Sequence, residues 1–162
     1  MNPFLKSFIE KTFETSGSAL DLGAGNFRDV SFLKTHGWDC EGVDLTEGTD
    51  LEKPFLAKHK QFDLVYANYV LQKIENQTQF LETMFQNVKE GGWIFIHTFD
   101  KTDPNNLSKL SSVALKKMLA QVGFKKIKTK TFRFYDSAEG HKHWHKILEA
   151  TAQRPSFNTR SM

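Results

Sequence analysis

Two aspartates and two glycines have a spacing that would allow them to bind a ligand together. Asp21 lies two residues before Gly23, and Gly25 completes a Gly-Ala-Gly turn after an apolar run. Such glycines let the backbone approach a ligand where a Cβ would clash, although a tight turn alone could also need them. Asp44 follows 19 residues after Gly25, where open α/β sheets place a carboxylate against ribose hydroxyls. The pattern therefore indicates a nucleoside-type ligand.

The residues around the turn disfavour a dinucleotide. Arg28 stands where a dinucleotide-binding motif has its third glycine, and Asp29 lies in the first helical turn, where a pyrophosphate would bind. The carboxylate of Asp21 would also suit a cation better than a phosphate. A positively charged nucleoside fits these residues better, so a nicotinamide-dependent oxidoreductase is the least favoured of the functions considered.

Apolar runs predict the elements that position this turn. Residues 62–68 are nearly continuously apolar, as in a parallel strand covered on both faces. Residues 126–135 and 145–152 are joined by only nine residues, too few for a crossover helix, so these strands should pair antiparallel. The predicted fold class is α/β, with a mostly parallel sheet and a C-terminal antiparallel hairpin. The other predicted strands are 19–22, 40–45 and 93–99, and the predicted helices are 3–14, 28–34, 75–88 and 107–122.

The same patterns predict how these elements end and how the chain divides. Residues 3–14 form an amphipathic helix with a proline at its start. Gly91 and Gly92 are expected to end the helix over 75–88. Residues 1–152 are expected to form one domain, followed by a polar tail over 153–162.

Four stretches resemble the class I S-adenosylmethionine-dependent methyltransferases. They are ALDLGAGNF at 19–27, GVDL at 42–45, FDLVYANYVL at 62–71 and VKEGGWIFI at 88–96. The stretch at 19–27 resembles the family's glycine-rich first motif, and the stretch at 42–45 resembles its ribose-binding second motif. The stretch at 62–71 resembles the family's fourth motif, and the stretch at 88–96 resembles the residues that lead into its fifth strand. The resemblance implies a Rossmann-like, doubly wound sheet and S-adenosylmethionine as the cofactor. It covers nearly the whole chain, from residue 18 to about 152.

The resemblance also implies which residues bind the cofactor. Asp21 and Gly23, with Ala24 and Gly25 in the same turn, would neighbour the methionine part. Asp44 would bind the ribose diol. The other implied contacts are Leu45, Asp50 and Leu51 around the adenine, and Asn68 and Tyr69 beyond the fourth motif.

The chain departs from the family pattern at two places. Phe27 stands where the first motif often has a third glycine. Only five residues, 45–49, separate Asp44 from Asp50, whereas a parallel crossover through a helix needs roughly ten or more. The family's third strand is therefore expected to be short or missing. These departures motivate an alternative function, a non-catalytic methyltransferase-fold protein that senses the cofactor or binds a partner.

Methyl transfer from an activated sulfonium needs mainly a nucleophile held in line at near-attack distance. Asn68, Tyr69 and His97 are the proposed catalytic residues, although His97 could instead be a hydrogen-bonded core histidine. Asp100 and the histidine-rich segment 141–145 are further residues expected near the acceptor. The sequence lacks the cysteine after the fourth motif that C5-cytosine methyltransferases need, and it lacks the Asn/Asp-Pro-Pro-aromatic signature common in enzymes that methylate amino groups of nucleic acids. It also lacks the glutamate pair of protein-arginine methyltransferases. A small-molecule acceptor is therefore favoured over nucleic acid or protein arginine.

Two further patterns have alternative interpretations. His141, His143 and His145 could imitate a metal site, but a polar hairpin loop is the favoured reading and no metal is predicted. The basic residues between Lys125 and Arg133 could contact phosphates, but lysines also protect exposed sheet edges. Nucleic acid therefore remains an unsupported partner.

Composition limits the remaining classes. The chain has 162 residues, 39% of them hydrophobic and 25% charged, with a net charge of +3. It shows neither a membrane-spanning apolar run nor a continuous hydrophobic signal sequence, so a cytoplasmic protein without membrane association is expected. Cys40 is the only cysteine, which excludes an intrachain disulfide. The acceptor side lacks a large cap, so a homodimer that completes the site is a further expectation.

Overall fold

The computed structural model describes residues 1–58, 61–105, 108–137, 140 and 142–157. The helices are α1 (Pro3–Thr12), α2 (Arg28–Thr35), α3 (Gln77–Asn87) and α4 (Ser112–Val122). The strands are β1 (Ser18–Leu22), β2 (Asp39–Val43), β3 (Phe62–Asn68), β4 (Val88–Phe99), β5 (Lys125–Asp136) and β6 (His143–Gln153). Short 3-10 turns span Leu45–Glu47 and Leu71–Lys73. No helix within these described ranges is both long and apolar enough to cross a membrane.

The six strands form one sheet in the order β2-β1-β3-β4-β6-β5. The first four strands in that order pair in parallel, and β6 pairs antiparallel with both β4 and β5. This arrangement confirms the predicted α/β class, with its mostly parallel sheet and C-terminal hairpin. The chain leaves β1 toward β2 on one side and later enters β3 on the other, so the sheet's switch point lies between β1 and β3.

The third strand of the family pattern has no counterpart among the described residues between β2 and β3. The chain instead turns through Leu45–Glu47, and residues 48–58 form turns and loop. The prediction of a short or missing strand is therefore confirmed.

Helices cover both faces of the sheet. On one face α3 and α4 bury a core with alternate residues of β1, β3, β4 and β6, including Phe80, Leu115, Ile96 and Leu148. On the other face α1 and α2 pack over the opposite residues of the same sheet, including Tyr66 and Phe95. Burial of one apolar stripe per helix stabilises this three-layer arrangement.

The boundary between α3 and β4 differs from the prediction. Asn87 ends α3, and Gly91 and Gly92 lie inside β4 instead of ending the helix. The buried Asn87 amide donates to the carbonyls of Thr83 and Phe55 and accepts from the N–H of Ala57. These bonds turn the chain out of the helix earlier than the glycines suggested.

Two other boundaries also shift. The helix predicted over 107–122 begins at Ser112, where the Ser111 hydroxyl accepts from the N–H of Ala114, and Leu107 lies outside the described residues. The predicted start of the tail falls inside β6, which runs to Gln153. Arg154 then donates to the carbonyls of Phe85 and Val88 at the end of α3. Residues 158–162 of the predicted tail lie outside the described part.

Candidate cofactor and acceptor site

The Gly-Ala-Gly turn lies at the carboxyl end of β1, beside the switch point. Gly23 has a φ of 87°, and a Cβ there would come within 2.3 Å of Val70 Cγ2. The N–H groups of Gly23 and Ala24 both donate to the carbonyl of Val43, at 2.9 Å each. Gly23 is therefore required both for its left-handed backbone and for the close approach of Val70.

Phe27 occupies the position of the missing third glycine, with the backbone conformation that favours glycine. Its φ is 62°, which costs about 1–2 kcal/mol for a residue with a Cβ. The ring packs against Gly42 on β2, where a Cβ would lie 2.9 Å from Phe27 Cε1. The substitution therefore keeps the left-handed turn, and ring packing against a glycine offsets its strain.

Asp21 is a buried carboxylate with an unpaired oxygen. Only 3% of the residue is exposed, and Oδ1 has no hydrogen-bond partner among the described residues. Burial raises the pKa of Asp21 to about 8, the hydrogen bond from Tyr66 opposes the rise, and the nearby carboxylates of Asp29 and Asp44 add to it. A cation placed at Oδ1 would relieve both the burial and the repulsion.

The surroundings of Asp44 favour its ionised form, in contrast to those of Asp21. Its Oδ1 accepts from the N–H of Gly25 at 3.0 Å, and its Oδ2 accepts from the N–H and hydroxyl of Thr46 at 3.1 and 2.8 Å. The hydrogen bonds from Thr46, and then the one from Gly25, lower its pKa. Oδ1 keeps one further lone pair, so Asp44 can still accept a hydrogen bond from a ribose hydroxyl.

A cavity of about 660 Å³, here called the large cavity, opens between the turn and β3. Asp44, Leu45, Asp50 and Leu51, all expected from the resemblance to contact the nucleoside, line it together. Gly23, Gly25, Asn68 and Tyr69 form its inner side. Its volume lies within the usual range for a small-molecule site.

A smaller cavity of about 270 Å³, here called the turn cavity, adjoins the large cavity at Gly23, Gly25 and Asn68. Asp21 and Ala24 line it as well, so the structure brings together all four residues expected beside the methionine part. Arg28 and Asp29 at the start of α2 complete it.

Asn68 lies where three cavities meet. Its Nδ2 donates to Asp29 Oδ2 at 2.9 Å, and its Oδ1 accepts from Asn2 Nδ2 at 3.0 Å. It lines the large cavity, the turn cavity and a third cavity beneath α1. The side chain is thus fixed from both sides at the point where cofactor and acceptor would meet.

Tyr69 follows Asn68 in a left-handed conformation, with a φ of 60°, and its N–H donates to the carbonyl of His97 at 2.7 Å. The ring stacks on Phe99 with centroids 5.1 Å apart. Burial, followed by the charge of Asp136, raises the pKa of Tyr69 to about 12. Its hydroxyl is therefore a donor and not a base at neutral pH.

His97 is buried beneath α1 and lines none of these three cavities. Its Nε2 lies 2.8 Å from Glu149 Oε1, and its Nδ1 lies 3.1 Å from Asn2 Nδ2. Because a carboxylate only accepts, Nε2 carries the proton and Nδ1 accepts from the Asn2 amide. The ring links β6 to the N-terminal cap of α1, since Asn2 Oδ1 also accepts from the N–H groups of Phe4 and Leu5.

The third cavity, here called the aromatic chamber, has a volume of about 420 Å³. It extends from Asn68 and Tyr69 to the β5–β6 hairpin. Its walls include Phe4 of α1, Phe99 of β4, Phe134 and Asp136 of β5, and His145 and Ile147 of β6. Its contents would reach the turn cavity through Arg28, Asp29 and Asn68, which line both.

Sequence reasoning missed several residues at this site. Asn2, Phe4 and Asp103 gave no recognisable signal, apart from the Asn-Pro start typical of a helix cap at Asn2. Asp100, expected near the acceptor, instead accepts from the N–H and hydroxyl of Thr102 within its own turn. His145 does line the aromatic chamber.

The suggested histidine cluster is only partly described. His143 and His145 contact each other with ring centroids 4.4 Å apart, and His141 lies outside the described residues. Within the described ranges, no three His, Cys, Asp or Glu side chains form a group suited to a metal ion.

Comparison with known proteins defines the class. A family model described as a methyltransferase domain matches residues 1–147, so the chain belongs to the methyltransferase family. Its glycine motif and sheet agree with class I members, as the resemblance implied. None of the curated proteins matches the chain significantly in sequence.

Solved structures share the fold at low sequence identity. An S-adenosylmethionine-dependent methyltransferase from Mesorhizobium loti is 17% identical, with a TM-score of 0.71 over 92% of this chain and 96% of that one. Burkholderia thailandensis 1,6-didemethyltoxoflavin-N1-methyltransferase, solved with its substrate and S-adenosylhomocysteine, is 16% identical, with a TM-score of 0.72 over 96% and 78%.

A third match concerns a longer protein. Haemonchus contortus phosphoethanolamine N-methyltransferase 2, solved with S-adenosyl-L-methionine, is 14% identical, with a TM-score of 0.70 over 96% of this chain. The chain spans about half of that enzyme's length, 53%.

Proposed function

We propose that the protein transfers a methyl group from S-adenosylmethionine to a small-molecule acceptor. The buried Oδ1 of Asp21, which has no hydrogen-bond partner among the described residues, is the observation that carries the proposal, because a cationic ligand at this position would favour the ionised carboxylate and pair with it. The cofactor is S-adenosylmethionine, whose ammonium and sulfonium groups supply positive charge. Cofactor-bound neighbours of the same fold support this assignment.

Each part of the cofactor has a matching group in the site. Asp44 accepts from the ribose diol, and Leu45, Asp50 and Leu51 border the adenine in the large cavity. Gly23, Ala24 and Gly25 line the turn cavity, which would hold the methionine part. Asp21 would take the ammonium group, whose positive charge would favour the ionised carboxylate.

Catalysis depends mainly on positioning. The cofactor supplies an activated sulfonium methyl group. Asn68 and Tyr69 lie between the two cofactor cavities and the aromatic chamber, where they orient the acceptor for in-line attack. His97 acts indirectly, through Asn2. Its Nδ1 accepts from the Asn2 amide, which also donates to Asn68. We therefore assign His97 to positioning α1 and Asn68, and not to contact with the acceptor.

The size of the aromatic chamber supports a small acceptor. A volume of about 420 Å³ lies within the usual range for small-molecule sites. A cytoplasmic location and a homodimer stay predictions from the sequence. The non-catalytic alternative loses one of its two motives, because Phe27 preserves the left-handed turn that a glycine would form, and it keeps the other, the missing third strand.

Calorimetric titration with S-adenosylhomocysteine tests the proposal. The wild-type protein should bind, and Asp44→Asn should bind at least tenfold more weakly, because a hydrogen bond to a charged group contributes about 1.5–3 kcal/mol. Asp39→Asn, at the other end of β2, is the matched control and should bind like the wild type. Absence of binding by the wild-type protein, or equal binding by the Asp44 variant, would contradict the proposal.

A further inference from the structure

A buried aspartate holds a histidine at the wall of the aromatic chamber. Asp103, in the loop after β4, is 4% exposed, and its Oδ1 accepts from the N–H of Lys146 at 2.7 Å. Its Oδ2 lies 3.2 Å from Nδ1 of His145, whose ring lines the chamber. The loop and the β5–β6 hairpin are thus joined at this pair.

The hydrogen bonds fix which nitrogen of His145 is basic. A carboxylate can only accept, so Nδ1 of the neutral ring carries the proton and Nε2 keeps the free lone pair. Nδ1 is engaged by Asp103, which leaves Nε2 as the nitrogen available to a molecule in the chamber. His97 has the opposite arrangement, because Glu149 holds its Nε2 and Asn2 its Nδ1.

The walls of the chamber indicate what the molecule would be. Phe4, Tyr69, Phe99 and Phe134 present four aromatic rings, and Phe99 also packs against His145 with centroids 4.7 Å apart. Aromatic rings pack well in offset or edge-to-face contact with one another. A cavity of about 150 Å³ already holds a benzene ring, so a chamber of about 420 Å³ has room for one substituted ring.

We propose that His145, held by Asp103, is the general base of the reaction and that the acceptor is a one-ring aromatic compound methylated at an O–H or N–H atom. This inference rests on the proposed methyltransferase function. A histidine base suits a phenolic hydroxyl, whose pKa is about 10, far better than an aliphatic hydroxyl. Asp103 is a positioning residue, since it acts through His145.

The step balances without a further reactant. The acceptor oxygen or nitrogen forms a bond to the methyl carbon as the bond from that carbon to sulfur breaks. The electron pair of the broken bond stays on sulfur, which gives neutral S-adenosylhomocysteine. The proton of the acceptor passes to Nε2 of His145, and the Asp103 carboxylate stabilises the resulting imidazolium.

Turnover of a compound panel tests the assignment. Phenol and catechol represent ring O–H acceptors, imidazole a ring N–H acceptor, and ethanolamine a non-aromatic comparator, with S-adenosylhomocysteine formation as the readout. We expect methylation of ring compounds, and the arm that reacts identifies the atom. His145→Gln should lower kcat at least about 100-fold without changing cofactor binding. His36→Gln, on the remote end of α2, should match the wild type.

The pH profile separates a base from a structural role. The activity of the wild type should fall on the acid side, and this fall should disappear in His145→Gln. Asp103→Asn should lower kcat with little change in KM, because an amide donor at Nδ1 favours the tautomer with a protonated Nε2. Other charged or titratable residues near this pair or lining the chamber include His143, Asp136, Arg28, Asp29, Tyr69 and the amino-terminal Met1.

A measurement on the wild-type protein needs no variant to fold. Nitrogen-15 NMR should show His145 as the Nδ1–H tautomer, and a protonated Nε2 in the neutral ring would overturn the inference. Exclusive turnover of ethanolamine, or no turnover of the panel by protein that binds S-adenosylhomocysteine, would also overturn it while leaving cofactor binding intact. Failure of the wild type to bind S-adenosylhomocysteine would instead refute the proposed function, and this inference with it.

Discussion

Replacement of Asp21 by asparagine should stabilise the free protein and abolish cofactor binding. The folded protein holds the pKa of Asp21 at about 8, chiefly through burial, against an ordinary value of 3.8. A raised carboxyl pKa leaves stability intact at low pH and reduces it as pH rises toward the folded value. The reduction therefore develops between about pH 4 and pH 8.

The magnitude follows from these two values. Their difference corresponds to roughly 6 kcal/mol at most, at about 1.4 kcal/mol per pH unit. Asparagine removes the charge but places an amide group at a position without a partner, which costs about 1–3 kcal/mol. The net gain at pH 8 should be a few kcal/mol, or about 5–10 °C in Tm for a chain of this size.

Thermal unfolding of both proteins across this pH range is the assay. The Tm of Asp21→Asn should exceed that of the wild type at pH 8 and fall below it near pH 4, where the wild-type carboxyl is protonated and only the cost of the unpartnered amide remains. Glu82→Gln, an exposed substitution on α3, should show no such pH-dependent difference. Equal Tm values for Asp21→Asn and wild type from pH 4 to pH 8 would refute the reasoning about the buried carboxylate.

Three further predictions concern the turn and the helix over the site. Gly23→Ala should destabilise the protein by about 2 kcal/mol in urea unfolding and abolish S-adenosylhomocysteine binding, and Val70→Ala in the same background should relieve the clash but not the backbone strain. Asn2→Ala should lower the free energy of unfolding by about 2 kcal/mol, whereas Asn2→Ser, which keeps a capping oxygen, should lose about half as much. Burial raises the pKa of Glu149, but the interactions with His97 and Lys130 together outweigh it, so this pKa lies below its ordinary 4.5. The stability advantage of wild type over Glu149→Gln should therefore be full at neutral pH and shrink as pH falls below about 4.5, which denaturation at several pH values measures.

The fold could be predicted where local chain length decided it. Nine residues between the last two strands left room only for a hairpin, and five residues after Asp44 left no room for a crossover helix. Gly91 and Gly92 led to a wrong prediction of where α3 ends, because glycines usually end helices. The buried amide of Asn87 ended α3 first, through contacts with a loop 30 and 32 residues away in sequence.

The cofactor side of the site was more predictable than the acceptor side. Asp21, the glycine turn and Asp44 lie on consecutive strand ends, so sheet geometry alone brings them together. The acceptor side depends on distant pairs that no spacing reveals. Asn2 meets Asn68 across 66 residues, and Asp103 meets His145 across 42. The sequence showed only that His97 lies on a predicted strand, and not that both of its ring nitrogens are hydrogen-bonded.

A crystal structure of the protein grown with S-adenosylhomocysteine tests the account most directly. We expect the ribose hydroxyls on Asp44, the adenine in the cavity beside Leu45 and Leu51, and the amino group within hydrogen-bond distance of Asp21 Oδ1. Density for the ligand elsewhere on the protein would contradict this expectation. So would a ligand that lies in the cavity but contacts neither Asp44 nor Asp21.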